Sequence, residues 1–181
     1  MALIVIEQKI PEVLLIKPEV YGDIRGFFME SFNGKALKKY GINNNFVQDN
    51  HSRSSINVVR GLHFQEKFPQ GKLVRVSRGK VFDVAVDVRP NSFTYGQHVS
   101  NILSEENFHQ MYIPPGFAHG FLTLDKENIV LYSCTNYRNK ESETTIAWDD
   151  KDLKIKWPIK KPILSPKDSN SKSFKEFNLK K

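Results

Sequence analysis

Short apolar runs alternate with clusters of glycine, proline and asparagine along most of this chain. Runs of roughly four to eight residues bounded by turn-forming residues are typical of β-strands, and a spacing of about 8–12 residues is typical of an antiparallel sandwich or barrel. We therefore predict a mostly β fold, with an antiparallel jelly roll as the preferred architecture. Strands are predicted at residues 13–16, 27–32, 46–50, 58–65, 73–77, 81–88, 98–103, 110–113, 121–124, 129–137 and 144–148.

Helices are predicted to be few, short and peripheral. Asn33 can cap a helix over residues 34–40, and Gly41 can end it in the left-handed conformation. Near the C-terminus, Ser165 suits the N-cap, a proline follows at the first helical position, and Asp168 lies at the third. A second short helix is therefore predicted to begin there.

Two predicted turns carry residues of chemical interest. Residues 21–26 contain two glycines and an aspartate, which predicts a corner that presents Arg25. Pro115 and Gly116 suit the second and third positions of a type II turn. This turn would place His119 at the start of the following strand.

The length and charge of the chain narrow the classes of function. A chain of 181 residues fits one domain with a real hydrophobic core. Of the 27 Lys and Arg residues behind the net charge of +7, ten lie from Lys151 onward, and all ten are lysines. This distribution favours a solvated basic tail over a nucleic-acid interface. The remaining domain is mildly basic, which suits an anionic small substrate. The sequence has no glycine-rich phosphate-binding loop, so side chains would have to bind any phosphate of the substrate.

The chain shows no sign of export, of a membrane span or of a closed metal site. It has no apolar run of about 18 residues, and the apolar N-terminal stretch is too short for a signal peptide. Cys134 is the only cysteine, which excludes an internal disulfide. No Cys/His pairs stand at the spacing of a zinc site, so a closed structural zinc site is not expected. We expect a soluble, cytoplasmic protein that binds neither nucleic acid nor membranes.

Arg60 and His63 lie three residues apart in the predicted strand 58–65. Side chains alternate between the two faces of a strand, so a regular strand would point these two in opposite directions. Both can serve one site only if the strand bulges or twists near Gly61, which glycine permits. A lone histidine in an apolar strand is more often a packed residue than a catalyst, so its neighbours decide the interpretation.

Several strands of a small barrel could bring chemically active side chains into one cavity. A histidine titrates near neutral pH and a tyrosine can carry a proton on the other side of a substrate, which is what general acid–base catalysis needs. The alternative for the tyrosine is a core residue with a satisfied hydroxyl. The candidates are Arg60, His63, Lys72, His119 and Tyr132.

Two aspartates each admit two interpretations. Asp83, in an otherwise apolar strand, is either a paired structural carboxylate or the group that orients His63. Asp168 is explained by helix capping alone, but it could also serve the site. The sequence by itself does not decide between these alternatives.

Seven motifs together resemble the dTDP-4-dehydrorhamnose 3,5-epimerase family. The resemblance extends from about residue 4 to residue 168, in order and with matching spacing. The motifs are DxRGFFxE at 23–30, FVQDNHS at 46–52, RGLHFQ at 60–65, GKLVR at 71–75, FDVAVD at 82–87, IPPGFAHGF at 113–121 and LSPKD at 164–168.

The resemblance implies a fold, an assembly and a set of roles. It implies one epimerase domain over residues 1–181, with a cupin-like jelly roll as its core at about 4–168 and a basic tail beyond. It also implies that the protein forms a homodimer and needs no metal or organic cofactor. By resemblance, His63 is the base, Asp168 its partner and Tyr132 the acid. The implied substrate contacts are Arg25, Glu30, Gln48, Asn50, Arg60, Lys72, His119, Glu143 and Lys167.

The side chains of this set suit the implied reaction. A proton beside a ketone becomes removable when the enolate oxygen is stabilised, and a preorganised cation such as Lys72 does this. Arg25 and Arg60 can hold diphosphate oxygens with forked donors. Two positions depart from the usual family pattern: Arg138 stands where many members have a second aromatic residue, and His98 where many have tryptophan. The first bears on how the nucleotide or sugar stacks, and we interpret the second as structural.

The leading hypothesis is epimerisation of dTDP-4-dehydro-6-deoxy-D-glucose at C3 and C5 to dTDP-4-dehydro-L-rhamnose. Relatives with nearly the same motifs epimerise one carbon only, so a 3-only or 5-only epimerase is the first alternative. A metal-dependent cupin using His51, His63 and His119 is a second alternative, although it lacks the expected His-x-His spacing. A non-catalytic module that binds sugar nucleotides is a third.

Overall fold

Thirteen β-strands and three short helices are found within residues 3–178, which are the residues that the computed structural model describes. The strands are β1 (Leu3–Ile6), β2 (Leu14–Pro18), β3 (Val20–Asp23), β4 (Gly26–Met29), β5 (Gln48–Ser55), β6 (Val59–Gln65), β7 (Lys72–Arg78), β8 (Lys80–Asp87), β9 (His98–Ser104), β10 (Gln110–Ile113), β11 (Phe117–Thr123), β12 (Glu127–Cys134) and β13 (Glu143–Thr145). The helices are α1 (Gly34–Lys38), α2 (Pro166–Ser169) and α3 (Phe174–Asn178).

Two antiparallel sheets enclose the main core. One has six strands in the order β1-β2-β10-β7-β12-β5, and the other has five in the order β13-β6-β11-β8-β9. Val74 and Val130 of the first sheet share a buried cluster with Ala85 and Phe121 of the second. The inward-facing apolar residues of each strand thus meet between the sheets. The predicted mostly β, cupin-like jelly roll with short peripheral helices is confirmed.

Several predicted boundaries were wrong. Residues 21–26 are not only a turn, because β3 and β4 pair through them as a separate two-stranded sheet. Strand β11 begins at Phe117 rather than at residue 121, so His119 lies inside the strand and is buried. The strand predicted at 46–50 runs instead from Gln48 to Ser55, where it pairs with all of β12. Neither β1 nor α3 was predicted.

Local hydrogen bonds explain the starts of two helices. The side chain of Asn33 accepts a hydrogen bond from the Ala36 amide at 3.1 Å. Ser165 Oγ accepts one from the Asp168 amide, also at 3.1 Å. Both predicted N-caps are therefore confirmed, and each satisfies an amide that the first helical turn leaves free.

Strand β6 is irregular at Gly61. Arg60 lies opposite Phe121 and His63 lies opposite His119, so three steps along β6 match two along β11. Gly61 has a φ of +129°, which L side chains rarely adopt. The predicted departure from a regular strand is confirmed, and it brings Arg60 and His63 to the same side.

The C-terminal residues pack more closely than a tail would. The lysines between residues 151 and 175 are exposed, but Phe174 and Phe177 are buried against the five-stranded sheet. The segment beyond residue 168 therefore belongs to the packed structure as far as residue 177, in contrast to the expected tail. A single domain over residues 1–181 stays a prediction. No helix within residues 3–178 combines the length and apolar character needed to cross a membrane.

We expect Gly61→Ala to destabilise the fold strongly. A Cβ at this position would lie 2.5 Å from Gly120 Cα and 2.7 Å from the His119 carbonyl oxygen. Steric crowding and the positive φ together should lower the free energy of unfolding by about 2–5 kcal/mol, measured by denaturant titration. Gly41→Ala is the control, because Gly41 has a φ of +82° with nothing within 4 Å of a Cβ. Equal losses for the two variants would contradict the crowding argument.

Candidate active site

A cavity of about 450 Å³ lies between the two sheets. Its size suits a small-molecule ligand. Nine of the twelve site residues predicted from the sequence line it, while Arg25, Glu30 and Lys167 do not. The nine are Gln48, Asn50, Arg60, His63, Lys72, His119, Tyr132, Glu143 and Asp168.

The two sheets contribute different chemistry to the cavity. His63 and His119 are directly opposite each other on β6 and β11 of the five-stranded sheet. Lys72 lies on β7 of the six-stranded sheet, and Tyr132 lies on β12 beside it. The rings of His119 and Tyr132 are 6.3 Å apart between centroids, so the two sets of residues face each other.

His63 and Asp168 form a close pair. His63 Nε2 lies 2.5 Å from Asp168 Oδ1, and the carboxylate is almost fully buried. Burial alone would raise the pKa of Asp168, but the hydrogen bonds from His63 and Ser165 outweigh it and hold that pKa below its usual value. Asp168 therefore takes part in both the helix cap and the site. Its amide is capped by Ser165 in α2, and its carboxylate is ionised next to the imidazole of His63.

His119 pairs with Asp83, which corrects one of the expectations for that aspartate. His119 Nε2 lies 2.9 Å and 3.1 Å from the two Asp83 oxygens, and both residues are buried. Asp83 therefore orients His119 rather than His63. Burial lowers the pKa of His119, and the adjacent carboxylate only partly opposes this effect.

Lys72 is a buried amine without a direct polar partner. Its side chain lines the cavity, and it forms no hydrogen bond or ion pair with any residue in the described range 3–178. Burial lowers its pKa, while the nearby Cys134, Asp83 and Glu143 act in the opposite direction. The three ammonium donors are thus available to a ligand.

Tyr132 presents a phenol to the same space. Burial raises its pKa, and so does the proximity of Cys134, whereas Arg60 lowers it. A raised pKa keeps the hydroxyl protonated at neutral pH. The phenol can therefore donate a proton in the cavity, opposite His63.

A chain of hydrogen bonds fixes the amides on one wall of the cavity. The Arg138 amide donates to Gln48 Oε1 at 2.9 Å, and Gln48 Nε2 donates to Asn50 Oδ1 at 3.1 Å. Asn50 Nδ2 donates to Cys134 Sγ at 3.3 Å. Each amide keeps one N–H that this chain does not use, so both can bind an acceptor on a ligand.

Ion pairs connect the rim of the cavity to helix α2. Glu143 Oε2 lies 2.9 Å from Lys167 Nζ and 3.0 Å from Arg138 Nη2. Burial would raise the pKa of Glu143, but its hydrogen bonds with Lys167 and Arg138 hold that pKa below its usual value. Lys167 thus reaches the site through Glu143. Arg60 also lines the cavity, and it donates to Ser54 Oγ at 3.0 Å.

Arg25 and Glu30 lie outside this cavity. Arg25 pairs with Asp23 at the exposed tip of the β3–β4 hairpin. Glu30 follows that hairpin and accepts a hydrogen bond from Asn33 Nδ2 at 3.1 Å. Neither residue lines the cavity, and their contacts with substrate stay predictions.

The residues proposed for a metal-dependent cupin do not gather. His51 lines a neighbouring groove with Phe46 and Arg75 rather than the cavity, and His63 and His119 each face an aspartate. Within residues 3–178, no group of three or more His, Cys, Asp or Glu residues is arranged to hold a metal ion.

Sequence reasoning did not single out several other residues of the cavity wall. Gln65 accepts the Asn139 amide at 2.7 Å and so fixes the loop before β13. Gln70 similarly donates to the Asn136 carbonyl at 2.8 Å. A buried polar residue at the end of an apolar strand is the signal that could have identified Gln65. The departure at His98 lies at the start of β9, an edge strand.

Comparison with known proteins establishes the family. A family model described as dTDP-4-dehydrorhamnose 3,5-epimerase matches residues 7–176. The Shigella flexneri protein of that name is 51% identical over 172 residues, which cover 94% of this chain and 95% of that protein. This chain belongs to the dTDP-4-dehydrorhamnose 3,5-epimerase family. It is an enzyme of the isomerase class, and the resemblance seen in its motifs is confirmed.

Solved structures of epimerases share the whole fold. RmlC from Legionella pneumophila, a dTDP-6-deoxy-D-glucose-3,5-epimerase solved with dTDP-4-keto-L-rhamnose, aligns with a TM-score of 0.96 at 48% identity, covering 99% of this chain and 96% of that one. ChmJ from Streptomyces bikiniensis, a 3'-monoepimerase solved with dTDP-quinovose, aligns with a TM-score of 0.88 at 27% identity over 96% and 90% of the two chains. Epimerases described by different regiochemistry therefore share this fold.

We expect Lys72→Met to stabilise the fold at neutral pH. Because burial lowers the pKa of Lys72, the folded state binds this proton less tightly than the unfolded state does. Removing the charge should raise the free energy of unfolding by about 1–4 kcal/mol. The gain should be complete below the folded-state pKa and should shrink as the pH rises towards the ordinary pKa of lysine.

Denaturant titrations from neutral to alkaline pH would measure this gain. Lys151→Met is the control, because Lys151 is exposed and its replacement should change stability by no more than about 0.5 kcal/mol. A loss of stability in Lys72→Met would show that the amine has a stabilising partner.

Proposed function

We propose that this chain epimerises dTDP-4-dehydro-6-deoxy-D-glucose at C3 and C5 to give dTDP-4-dehydro-L-rhamnose. The single observation that carries the proposal is the position of the His63–Asp168 pair on one side of the cavity and of Tyr132 on the other. Inversion at carbon requires the proton to leave from one face and to return to the opposite face. The two facing sheets offer one proton carrier for each face.

His63 is the proposed base. A carboxylate only accepts hydrogen bonds, so the imidazole directs Nε2–H at Asp168, and Nδ1 keeps its lone pair. Nδ1 would take the proton from the carbon beside the ketone. The electron pair of that C–H bond then moves to the C4 carbonyl and forms an enolate, while the buried Asp168 stabilises the imidazolium.

Lys72 and Tyr132 would complete the exchange. The Lys72 amine is unpaired and preorganised, so it can donate to the enolate oxygen as charge develops there. The Tyr132 hydroxyl then gives its proton to the opposite face of the carbon, and the ketone re-forms. Solvent then takes the proton from the His63 imidazolium and returns one to the Tyr132 phenolate, so that both groups are ready for the second carbon.

The remaining polar residues would bind the nucleotide sugar. Arg60 has the forked donors that suit a diphosphate oxygen. The amides of Gln48 and Asn50 each keep a free N–H for sugar or phosphate oxygens. His119, held by Asp83, can contact the sugar from the same sheet as His63, and Glu143 and Lys167 would act at the rim.

A cytoplasmic location fits the free thiol of Cys134. This cysteine forms no disulfide, which suits a reducing compartment.

The main alternative differs in regiochemistry. A 3-only or 5-only epimerase would use the same base and acid, and the 3'-monoepimerase ChmJ shares the fold. A metal-dependent cupin would lose activity with a chelator, and a binding module would have no turnover.

Deuterium incorporation tests the proposal. Incubated with dTDP-4-keto-6-deoxyglucose in deuterated water, the protein should place deuterium at C3 and C5, as measured by NMR or mass spectrometry. His63→Ala should lower both exchange and epimerisation by at least about 100-fold, since general base catalysis is worth that much. Incorporation at one carbon would identify a mono-epimerase, and incorporation at neither would refute the proposal.

Tyr132→Phe separates the two proton transfers. The variant keeps His63 and Asp168, so solvent deuterium should still exchange from the face of the base, while inversion should fall by roughly 100-fold. A variant that inverts the carbon as well as the parent does would exclude Tyr132 as the acid.

We also infer a homodimer that the β3–β4 hairpin helps to form. The hairpin is a separate two-stranded sheet, and such hairpins are marginally stable alone. Four of its large apolar residues are strongly exposed, which is typical of an interaction surface: Tyr21, Ile24, Phe27 and Phe28. A second copy would cover them and would bring Arg25 and Glu30 near the partner's cavity, where they could contact substrate.

Ile24→Asp should weaken the dimer. Ile24 is fully exposed in the single chain, and a carboxylate buried there without a partner would oppose association. Sedimentation velocity should show a shift towards monomer at micromolar concentration, with a rise in KM. Phe93→Asp is the matched control, because Phe93 is equally exposed on another loop. A dimer that is unchanged in Ile24→Asp, or equally weakened in the control, would contradict this interface.

A further inference from the structure

We propose that residues 169–177 position the Asp168 carboxylate against His63. The inference rests on the proposed function, in which this pair removes the proton. We define residues 163–177 as the C-terminal segment. In the short helix α2, the Lys167 side chain pairs with Glu143 and the Asp168 carboxylate contacts His63. The backbone of this helix is attached to the sheets through its two flanks.

Helix α2 is only four residues long. A single turn is unfavourable alone, because nucleation fixes several residues for one hydrogen bond. Its internal support consists of the Ser165 cap on the Asp168 amide and a bond from the Ser169 amide to the Ser165 carbonyl at 2.9 Å. These bonds shape the turn but do not attach it to the barrel.

The N-terminal flank is attached to the start of β6. The Ile163 amide donates to the Asn57 carbonyl at 2.7 Å, and the Val59 amide donates to the Ile163 carbonyl at 3.0 Å. Val58 and Ile163 thus form an isolated parallel bridge. With this anchor alone, the position of α2 would depend on it and on the side-chain contacts of Lys167 and Asp168.

The C-terminal flank supplies a second anchor, at the residues that follow β13. The Ala147 amide donates to the Lys172 carbonyl at 2.8 Å, and Ile146 and Lys172 form a second parallel bridge. The neighbouring residue Thr145 lies directly opposite His63 on β6. The segment is therefore attached on both sides of Asp168 along the chain, at Ile163 and at Lys172.

Two buried phenylalanines hold this second anchor in place. Phe177 packs edge-on against Phe64, the residue after His63, with ring centroids 5.1 Å apart. Phe174 packs on Tyr95 at 5.3 Å, and its amide donates to Asp150 Oδ2 at 2.8 Å. Helix α3 thus packs on the strand that carries the base.

Ser171 connects this anchor to Asp168 itself. Its hydroxyl donates to the Asp168 carbonyl oxygen at 2.6 Å. A catalytic pair has to be held within about 0.5 Å of its productive geometry, and a buried carboxylate that drifts from its partner loses the hydrogen bond that keeps it ionised. Ser171 and the two phenylalanines are therefore positioning residues.

The test combines two variants with a matched control. Phe177→Ala removes the packing of α3, and Ser171→Ala removes the hydroxyl without creating a cavity in the core. Each should lower kcat by roughly 10-fold or more, with KM changed by less than about twofold. Leu37→Ala, which also truncates a buried residue but in a separate cluster beside α1, should leave kcat near that of the parent. Phe177→Leu should restore most of the activity of Phe177→Ala.

Two further readouts separate positioning from general loss of stability. In an Asp168→Asn background, Phe177→Ala and Ser171→Ala should cause no further loss of kcat, because the contact they position is already gone. By NMR, the His63 imidazole signals of both variants should move towards those of Asp168→Asn.

The outcomes also separate this inference from the proposed function. A parent protein that does not epimerise the substrate would refute the proposed function, and the NMR shifts would still test the positioning. Unchanged kcat and unchanged imidazole signals in Ser171→Ala and Phe177→Ala would overturn the inference. So would an equal loss of kcat in Leu37→Ala or in the Asp168→Asn background. Should Phe177→Ala fail to fold, Ser171→Ala decides alone.

Discussion

The close approach of Gly61 and Gly120 is the constraint on which the site depends. A Cβ on Gly61 would lie 2.5 Å from Gly120 Cα, and a Cβ on Gly120 would lie 2.8 Å from the Arg60 carbonyl oxygen. Only two glycines let the backbones of β6 and β11 meet so closely. This contact accommodates the extra residue of β6, so Arg60 and His63 both line the cavity. Without it, period-two alternation would turn one of them away.

Among residues 3–178, the charges around the cavity leave one buried cation, Lys72, without a direct partner. Two buried carboxylates face histidines, since Asp83 faces His119 and Asp168 faces His63. A third, Asp87, pairs with Arg89. Buried charges of this kind are costly unless they are paired. Lys72 is the exception: it is buried but has no direct partner within residues 3–178. Burying this unpaired ammonium lowers the stability of the fold, at the position where a negative charge that develops on the substrate would be stabilised.

Local patterns in the sequence predicted more of the fold than of the pairing within the site. Alternation and turn residues predicted most strands, and the caps at Asn33 and Ser165 were predicted because they depend only on near neighbours. The partner of Asp83 was not decided, since His119 lies 36 residues away and meets it through the register of β8 and β11. Helix α3 was not predicted because lysines dominate the C-terminal sequence. Two phenylalanines in a helix of five residues give too weak an apolar pattern to indicate that the helix is buried.

The spacing of the two sheets connects the fold to the stereochemistry. Sheets that pack face to face lie about 10 Å apart. At the cavity, polar side chains replace the apolar ones, and the gap between the sheets leaves room for one sugar ring. His63 projects from one sheet and Tyr132 from the other. In the proposed reaction, a ring bound between them would meet the imidazole on one face and the phenol on the other. Inversion would then not require the sugar to turn over, because the two sheets already separate the two proposed proton carriers.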